Sequence, residues 1–280
     1  MQSALTAEIE IDHHGPVAVV RFNRPDTLNA FTRTMGDAYA VAMRQLDRDP
    51  LVRAIVVTGS GRGFCSGADV EVLRGGPAAI RAFIPAREDM PSFVHRLSTP
   101  VIAAVNGPVA GIGFAYMMGS DVRFAAREAK IATTFARLGL VAEYGLSWLL
   151  PRALGVGRAL DLLLSGRAIT GAEALEMGLV QFAVPVADVF TTAVEYATDL
   201  ALNCASTSLA VIKAQVYADL EDNETRALER TVRLMDRSFD GPDLAEALSA
   251  RSESRRPLFG AAAGYVIAPD ARSAASPVSS

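Results

Sequence analysis

Apolar and polar positions alternate in Glu8-Ile-Glu-Ile-Asp12, and a second β-rich run follows at Val17–Phe22. The pattern predicts a hairpin, with His13-His14-Gly15-Pro16 as its turn. From Thr32 the apolar spacing becomes helical through Met35, Tyr39, Ala42, Met43 and Leu46, and Asp49-Pro50 ends it. Residues 54–58 and 101–105 are continuous apolar runs of buried-strand type. A proline-interrupted helical region separates them, and residues 122–125 and 130–133 predict further short strands. Mixed α/β packing follows.

Beyond about Tyr144 the texture changes to helix upon helix. Thr170-Gly-Ala-Glu173 is a capping box: the threonine oxygen accepts from a free helical amide while the glutamate reaches back. Val184-Pro185 closes that unit, and helices are predicted over residues 188–203, 209–220, 224–239 and 242 to about 255. From Gly260 onward Ala, Ser, Gly and Pro dominate with little periodicity, which predicts a disordered tail. The expected division is a core over residues 1–200, a helical region over 201–259 and the tail over 260–280. The apolar faces of the helices from Asp188 onward exceed what one small layer needs, so the chain is expected to associate with copies of itself.

Composition narrows the function. The chain has 27 Lys plus Arg against 31 Asp plus Glu, a formal charge of −4, so there is no global basic field for nucleic acid or an anionic membrane. An anionic ligand must be met locally. Two cysteines, Cys65 and Cys204, exclude a disulfide-built scaffold, and His13, His14 and His95 form no metal-ligand motif. No basic segment followed by an apolar stretch opens the chain, so the expectation is a cytoplasmic protein without structural metal. Residues 100–119 carry no charge, yet Pro100, Asn106, Gly107, Pro108, Gly111 and Gly113 make them a buried strand, tight loop and buried helix rather than a membrane span.

Gly59-Ser-Gly-Arg-Gly63 follows a buried strand, but its spacing is GxGxG, and no acidic strand end follows about twenty residues on, as a dinucleotide site requires. GxxxxGK[ST] and GxSxG are both absent. What remains is a pair of glycine-rich loops, Phe64-Cys-Ser-Gly-Ala-Asp69 and Asn106-Gly-Pro-Val-Ala-Gly-Ile-Gly113, each placed after a buried strand and before a helix. Taken by themselves they are either close-packed turns or two strand ends that aim helix-start amides at one oxygen. Cys65 reads as a small core residue rather than a nucleophile.

Several segments in order resemble the crotonase family, the enoyl-CoA hydratase/isomerase superfamily, over about residues 8–259: Phe22-Asn-Arg-Pro25 with Leu28-Asn-Ala30, Ala54-Ile-Val-Val-Thr-Gly59, Phe64-Cys-Ser-Gly-Ala-Asp69, Pro100-Val-Ile-Ala-Ala-Val-Asn-Gly107, Ser120-Asp-Val122, Leu164-Ser-Gly166, Glu173-Ala174 and Met177-Gly-Leu-Val180. The resemblance implies an α/β spiral of ββα units, a C-terminal helical region that builds trimers or hexamers, and an acyl-CoA thioester as ligand. No separate cofactor is implied, since coenzyme A enters with the substrate. It further implies that the amides of Ala68 and Ile112, beside Gly67 and Gly111, hold the thioester oxygen. Arg24, Leu28 and Ala30 fall on the pantetheine and phosphate side, and Ser66, Asp69 and Val70 on the nucleotide side. Arg255 or Arg256 is placed to reach the phosphates, although a surface arginine is more often simply solvated.

Typical hydratases of this family carry two glutamates that activate water, and here the matching positions hold Ala115 and Phe135. Neither side chain transfers a proton. One carboxylate stands where related isomerases and dehalogenases carry an aspartate: Glu143, just before a helix predicted from about Leu146. It serves either as an acid/base group beside the thioester or as a helix cap. Tyr116, Arg137, Tyr144 and Trp148 lie near these segments in sequence and read as packing. The expected function is enoyl-CoA double-bond isomerisation, with an atypical hydratase or a silent acyl-CoA-binding subunit as alternatives.

Overall fold

The computed structural model describes residues 7–260, so the predicted tail lies, beyond Gly260, outside the described residues. The hairpin forms from β1 (Ile9–His14) and β2 (Val17–Phe22), paired antiparallel in the register Ile11↔Val20. His13 and His14 belong to the strand and pair with Ala18 and Val17, so the turn is only Gly15-Pro16. Polar residues at an exposed strand end mimic turn composition, which is why the pattern misplaced them. After α1 (Arg33–Arg48) come β3 (Ala54–Gly59), the two short helices α2 (Val70–Arg74) and α3 (Gly76–Phe83), and β4 (Val101–Val105). Then follow β5 (Val109–Ala110), α4 (Ile112–Gly119), β6 (Val122–Ala126), β7 (Lys130–Ala132), α5 (Leu146–Leu154) and α6 (Val156–Ser165). The remainder is β8 (Ile169–Thr170), α7 (Gly171–Met177), β9 (Phe182–Val184) and the helices α8 (Val189–Asn203), α9 (Ser206–Asp219), α10 (Glu224–Phe239) and α11 (Pro242–Ser252).

Six strands make the main sheet in the order β1-β2-β3-β4-β6-β9, parallel from β2 onward. Every residue of β3 and β4 is buried, as their continuous apolar runs require of a sheet covered on both faces. β5, β7 and β8 form a second, smaller sheet. Three strands were not legible in the pattern, β5, β8 and β9, because two or three residues show no period. The α1 face carrying Met35, Tyr39 and Met43 is buried, as its spacing predicts. α8 packs on β2, β3, β4 and β6 through Val189, Ala193, Ala197 and Ala201, one residue per turn and all 0 % exposed. Small side chains let this helix lie close to the sheet. α8 runs past residue 200 to Asn203, and the helix-only region starts at Ser206. The Thr170 capping box is formed: its hydroxyl accepts from the Glu173 amide at 3.1 Å, and Glu173 accepts from the Thr170 amide at 2.7 Å.

A buried charge network ties α9 to the sheet. The Lys213 ammonium donates to Asp121 at 2.8 Å and to the Thr99 carbonyl at 3.0 Å, while Asp121 also accepts from the Val101 amide at 2.7 Å and the Tyr217 hydroxyl at 3.0 Å. His95 stacks on Tyr217 with ring centroids 4.0 Å apart, and burial pushes its pKa down to about 4. Removing one member of a buried pair strands the other. Lys213→Met is therefore expected to cost about 3 kcal/mol, with Lys213→Met/Asp121→Asn losing less than the two single changes added, as read from denaturant melts. Additive losses would contradict the network.

Candidate active site

The site is built where β3 and β4 end side by side. Both loops first tie themselves down through two asparagines. Asn29, 0 % exposed, donates to the carbonyls of Ser60 at 3.0 Å and Gly63 at 2.8 Å; Asn106 donates to those of Gly59 and Gly61, each at 2.9 Å. These bonds occupy the Gly59–Gly63 carbonyls internally, so this turn is a scaffold for the loop that follows. Neither asparagine stood out in the sequence, since a buried amide has the same composition signal as a turn residue.

Beyond the scaffold the two loops are zipped together. The amides of Phe64 and Cys65 donate to the Pro108 carbonyl, both at 3.2 Å, and the Ala110 amide donates to the Cys65 carbonyl at 3.0 Å. Each loop then turns through a glycine with positive φ, Gly67 at +104° and Gly111 at +53° with ψ −121°. A side chain at either position would be strained. Gly67 approaches the partner loop so closely that a Cβ there would sit 3.3 Å from the Ala110 carbonyl oxygen.

The next residues are Ala68 and Ile112. Among the described residues neither of their amides has a protein acceptor. Ile112 is the first residue of α4, whose cap residue Gly111 offers no side-chain bond, so its amide is one of the helix's unpaired donors. Ala68 reaches the same condition differently. Phe31 donates to the Gly67 carbonyl at 2.7 Å and accepts from the Asp69 amide at 3.0 Å. Because the C=O and N–H of one trans peptide point opposite ways and the Gly67 carbonyl points at Phe31, the Ala68 N–H faces away from Phe31.

Both loops line one cavity of about 100 Å³, which Ser66, Gly67, Ala68, Gly111 and Ile112 share with Phe83, Thr134, Phe135, Leu140, Glu143 and Tyr144. Val72, Leu73, Ile80 and Leu138 complete an apolar wall. The helices α2 and α3 supply much of that wall, and the sequence reading missed them as site residues. Their signal was the set of apolar positions on either side of Gly75-Gly76-Pro77. Ala115 is fully buried inside α4, and Phe135 presents a ring to the cavity. No carboxylate stands at either of those positions.

Glu143 is the one carboxylate among the lining residues. Burial pushes its pKa above the ordinary glutamate value, and a side-chain hydrogen bond with Tyr144 opposes part of that rise. It does not cap α5: the cap position is Gly145, with no side-chain bond to the helix. Tyr144 holds a left-handed φ of +55° beside it, with its ring centroid 6.3 Å from that of Phe135.

Of the residues singled out in the sequence, Ser66, Ala68, Gly111, Ile112 and Glu143 come together here. Arg24, Leu28, Ala30, Asp69 and Val70 do not line the cavity. The Arg24 guanidinium donates to Asp69 at 2.7 Å and to the Ala30 carbonyl at 2.5 Å; the Leu28 carbonyl accepts from the Ser66 amide at 3.1 Å; Val70 opens α2 and is exposed. Arg255 is paired with Glu246 at 2.5 Å and Glu253 at 2.6 Å, and Arg256 is exposed. Cys65 is buried, which pushes its thiol up to about 12 and leaves it protonated and inert. Tyr116 packs in a cluster with Phe22, Phe31 and Tyr39, Arg137 donates to the Ser165 carbonyl at 2.8 Å, and Trp148 lies under Arg152.

Two parallel strands end beside one another and deliver two amides without protein acceptors to one cavity, on a crotonase fold. The sequence profile described as Enoyl-CoA hydratase/isomerase matches residues 12–262, and this chain belongs to that family. It is 36% identical to the 1,2-epoxyphenylacetyl-CoA isomerase of Escherichia coli over 252 residues, 87% of this chain and 94% of that one. It is 31% identical to an enoyl-CoA hydratase of Mycobacterium tuberculosis over 254 residues, 89% of this chain and 95% of the other. The crystal structure of an enoyl-CoA hydratase from Bacillus anthracis superposes with a TM-score of 0.84 at 28% identity, covering 90% and 99% of the two chains. No helix among the described residues is long and apolar enough to cross a membrane.

The raised pKa of Glu143 has a stability consequence with a definite sign. A carboxyl whose folded pKa exceeds its unfolded value favours the fold only while protonated, and that contribution is lost as pH rises through the folded value. At neutral pH the ionised group therefore opposes folding. Glu143→Gln is expected to melt at the same or a higher temperature than wild type at pH near 7, with the gain absent below the ordinary glutamate pKa of about 4.3. A lower melting temperature at neutral pH would contradict the assignment of burial as the dominant effect.

Proposed function

We propose that the chain is an enoyl-CoA isomerase that works through a thioester enolate. The thioester oxygen accepts from the Ala68 and Ile112 amides, and Glu143 takes a proton from the acyl carbon next to the carbonyl. The electron pair released from that C–H bond passes into the carbonyl to give a dienolate that keeps the original double bond, which shifts only when the far carbon is protonated. Glu143 then returns a proton, exchangeable with solvent while it sits on the carboxyl, to the far end of the conjugated system, so atoms and charge balance without the addition of water. Preorganised amides in a largely apolar cavity stabilise the oxyanion with no reorganisation at the moment it forms. The pKa rise on Glu143 brings it closer to that of the carbon acid and so suits both removal and return of the proton.

The observation that carries this reading is that Glu143 is the one carboxylate lining the cavity that two amides without acceptors also line, with Ala115 and Phe135 where water-activating acids stand in typical hydratases. In this reading the pantetheine passes on the side of Leu28 and Ala30, and the nucleotide end lies toward Ser66 and Val70. Coenzyme A arrives with the substrate and no other cofactor takes part. The exposed Ile212, Val216, Leu228, Val232 and Phe239 of α9 and α10 support self-association into a trimer or hexamer, and the expected compartment is the cytoplasm.

Two variants test the roles separately. Glu143→Gln is expected to keep acyl-CoA binding while kcat on the best enoyl-CoA isomer of a thioester panel falls by about 10²–10⁴. Ala68→Pro removes one amide donor and is expected to lower turnover by about 10²–10³ with the fold intact by circular dichroism. If Glu143→Gln retains its rate and the products carry added water, the chain is an atypical hydratase. If no panel member turns over although acyl-CoA binds, it is a silent binding subunit.

A further inference from the structure

The strand-like segment that carries Ala68 is stapled by a single guanidinium. Arg24 donates through the same Nη1 to the Ala30 carbonyl at 2.5 Å and to Asp69 at 2.7 Å, so it bridges the two chain segments on either side of the Phe31–Ala68 bridge. Its Nε lies 3.4 Å from Glu8, and its backbone amide donates to the buried Asn29 at 2.8 Å. Asp69 is the residue directly after Ala68. Its second oxygen accepts from the Glu71 amide at 3.0 Å and caps α2, and its own amide is held by the Phe31 carbonyl at 3.0 Å. The pair is mostly buried, with side-chain exposures of 24% and 13%.

We infer that Arg24 and Asp69 form a clamp that sets the direction of the Ala68 amide, making Arg24 a positioning residue for the oxyanion site and not a ligand of the coenzyme A phosphates. The inference rests on the acyl-CoA reading given above. Its physical content is that three groups fix the peptide plane between Gly67 and Ala68: the Phe31 carbonyl and amide, the Asp69 cap and the Arg24 bridge. Gly67, at a φ open to few other residues, is the one flexible joint in that segment. With the bridge removed, only the two Phe31 backbone bonds and the Asp69 cap hold the segment, which gains freedom about that joint and costs the amide part of its aim. Misplacement of a catalytic donor by about 1 Å costs on the order of 10² in rate. The two Nη1 donors are taken by Ala30 and Asp69 and Nε faces Glu8, which leaves Nη2 as the one end of the guanidinium open to a phosphate.

The test compares wild type, Arg24→Met, Arg24→Lys, Asp69→Asn and Arg24→Met/Asp69→Asn. One readout is kcat on the best enoyl-CoA, a second is the Kd of free coenzyme A, and a third is the infrared band of an isotope-labelled thioester carbonyl in bound butyryl-CoA. The clamp predicts a kcat loss of about 10² in Arg24→Met, an unchanged Kd for coenzyme A, and a carbonyl band that returns toward its frequency in water. Arg24→Lys keeps the charge and should recover part of the loss, and the double variant should lose no more than the worse single one. A phosphate ligand behaves in the opposite way, with a weakened Kd that steepens with salt and an unmoved carbonyl band, and that outcome overturns the clamp. If the wild-type band does not shift on binding, the acyl-CoA reading fails and the clamp fails with it; a shifted wild-type band that persists in a folded Arg24→Met or Asp69→Asn variant overturns the clamp alone.

Discussion

The hydrogen bond from the Ala110 amide to the Cys65 carbonyl, 3.0 Å long, decides how far apart two loops lie. It belongs to an isolated parallel bridge between Cys65 and Val109 of β5, beyond the ends of β3 and β4, so the two loops run side by side after they leave the sheet. Each then meets a glycine with positive φ and releases the following amide from the ladder. A buried amide without an acceptor is ordinarily a defect that costs about 1–3 kcal/mol. Here two amides without protein acceptors line one cavity, the arrangement on which the proposed function rests. The fully buried β3 and β4, the α8 alanine stripe and the asparagine lashings of the Gly59–Gly63 turn all serve to keep that arrangement rigid.

The charged groups divide by location in a way that bears on mechanism. Asp121 and Lys213 compensate each other away from the cavity and hold α9 on the sheet. Asp69 is drawn below the usual carboxylate range, first by the Glu71 amide and then by Arg24, so it stays ionised and structural. Glu143 moves in the other direction because burial is not matched by a cation. Burial unmatched by a cation, and hydrogen bonds from an amide and a cation, thus push these two carboxyls in opposite directions.

Much of this was legible in the residues. The apolar runs of β3 and β4, the helical spacing of α1 and the capping box at Thr170 each carry a local physical signal, and the structure contains all three. The positions of Ala68, Ile112 and Glu143 followed from a family resemblance, because a backbone donor leaves no trace in side-chain chemistry. The wall contributed by α2 and α3 and the strand β9 escaped notice, since short elements give too few residues for a period to show. Arg24 and Asp69 carried opposite charges 45 residues apart, and only the fold brings them to 2.7 Å. The turn expected at His13 and His14 failed for a related reason: an exposed strand end and a turn share the same polar residues.

The central claim is that the chain makes an enolate from a thioester and returns the proton to carbon without adding water. The most direct measurement is nuclear magnetic resonance of vinylacetyl-CoA incubated with the protein in deuterium oxide. The account predicts crotonyl-CoA carrying deuterium at its terminal carbon, with exchange at the carbon next to the carbonyl and little hydrated product. A product dominated by the hydroxyacyl thioester, or crotonyl-CoA formed by an enzyme that keeps the same activity after Glu143→Gln, would contradict it.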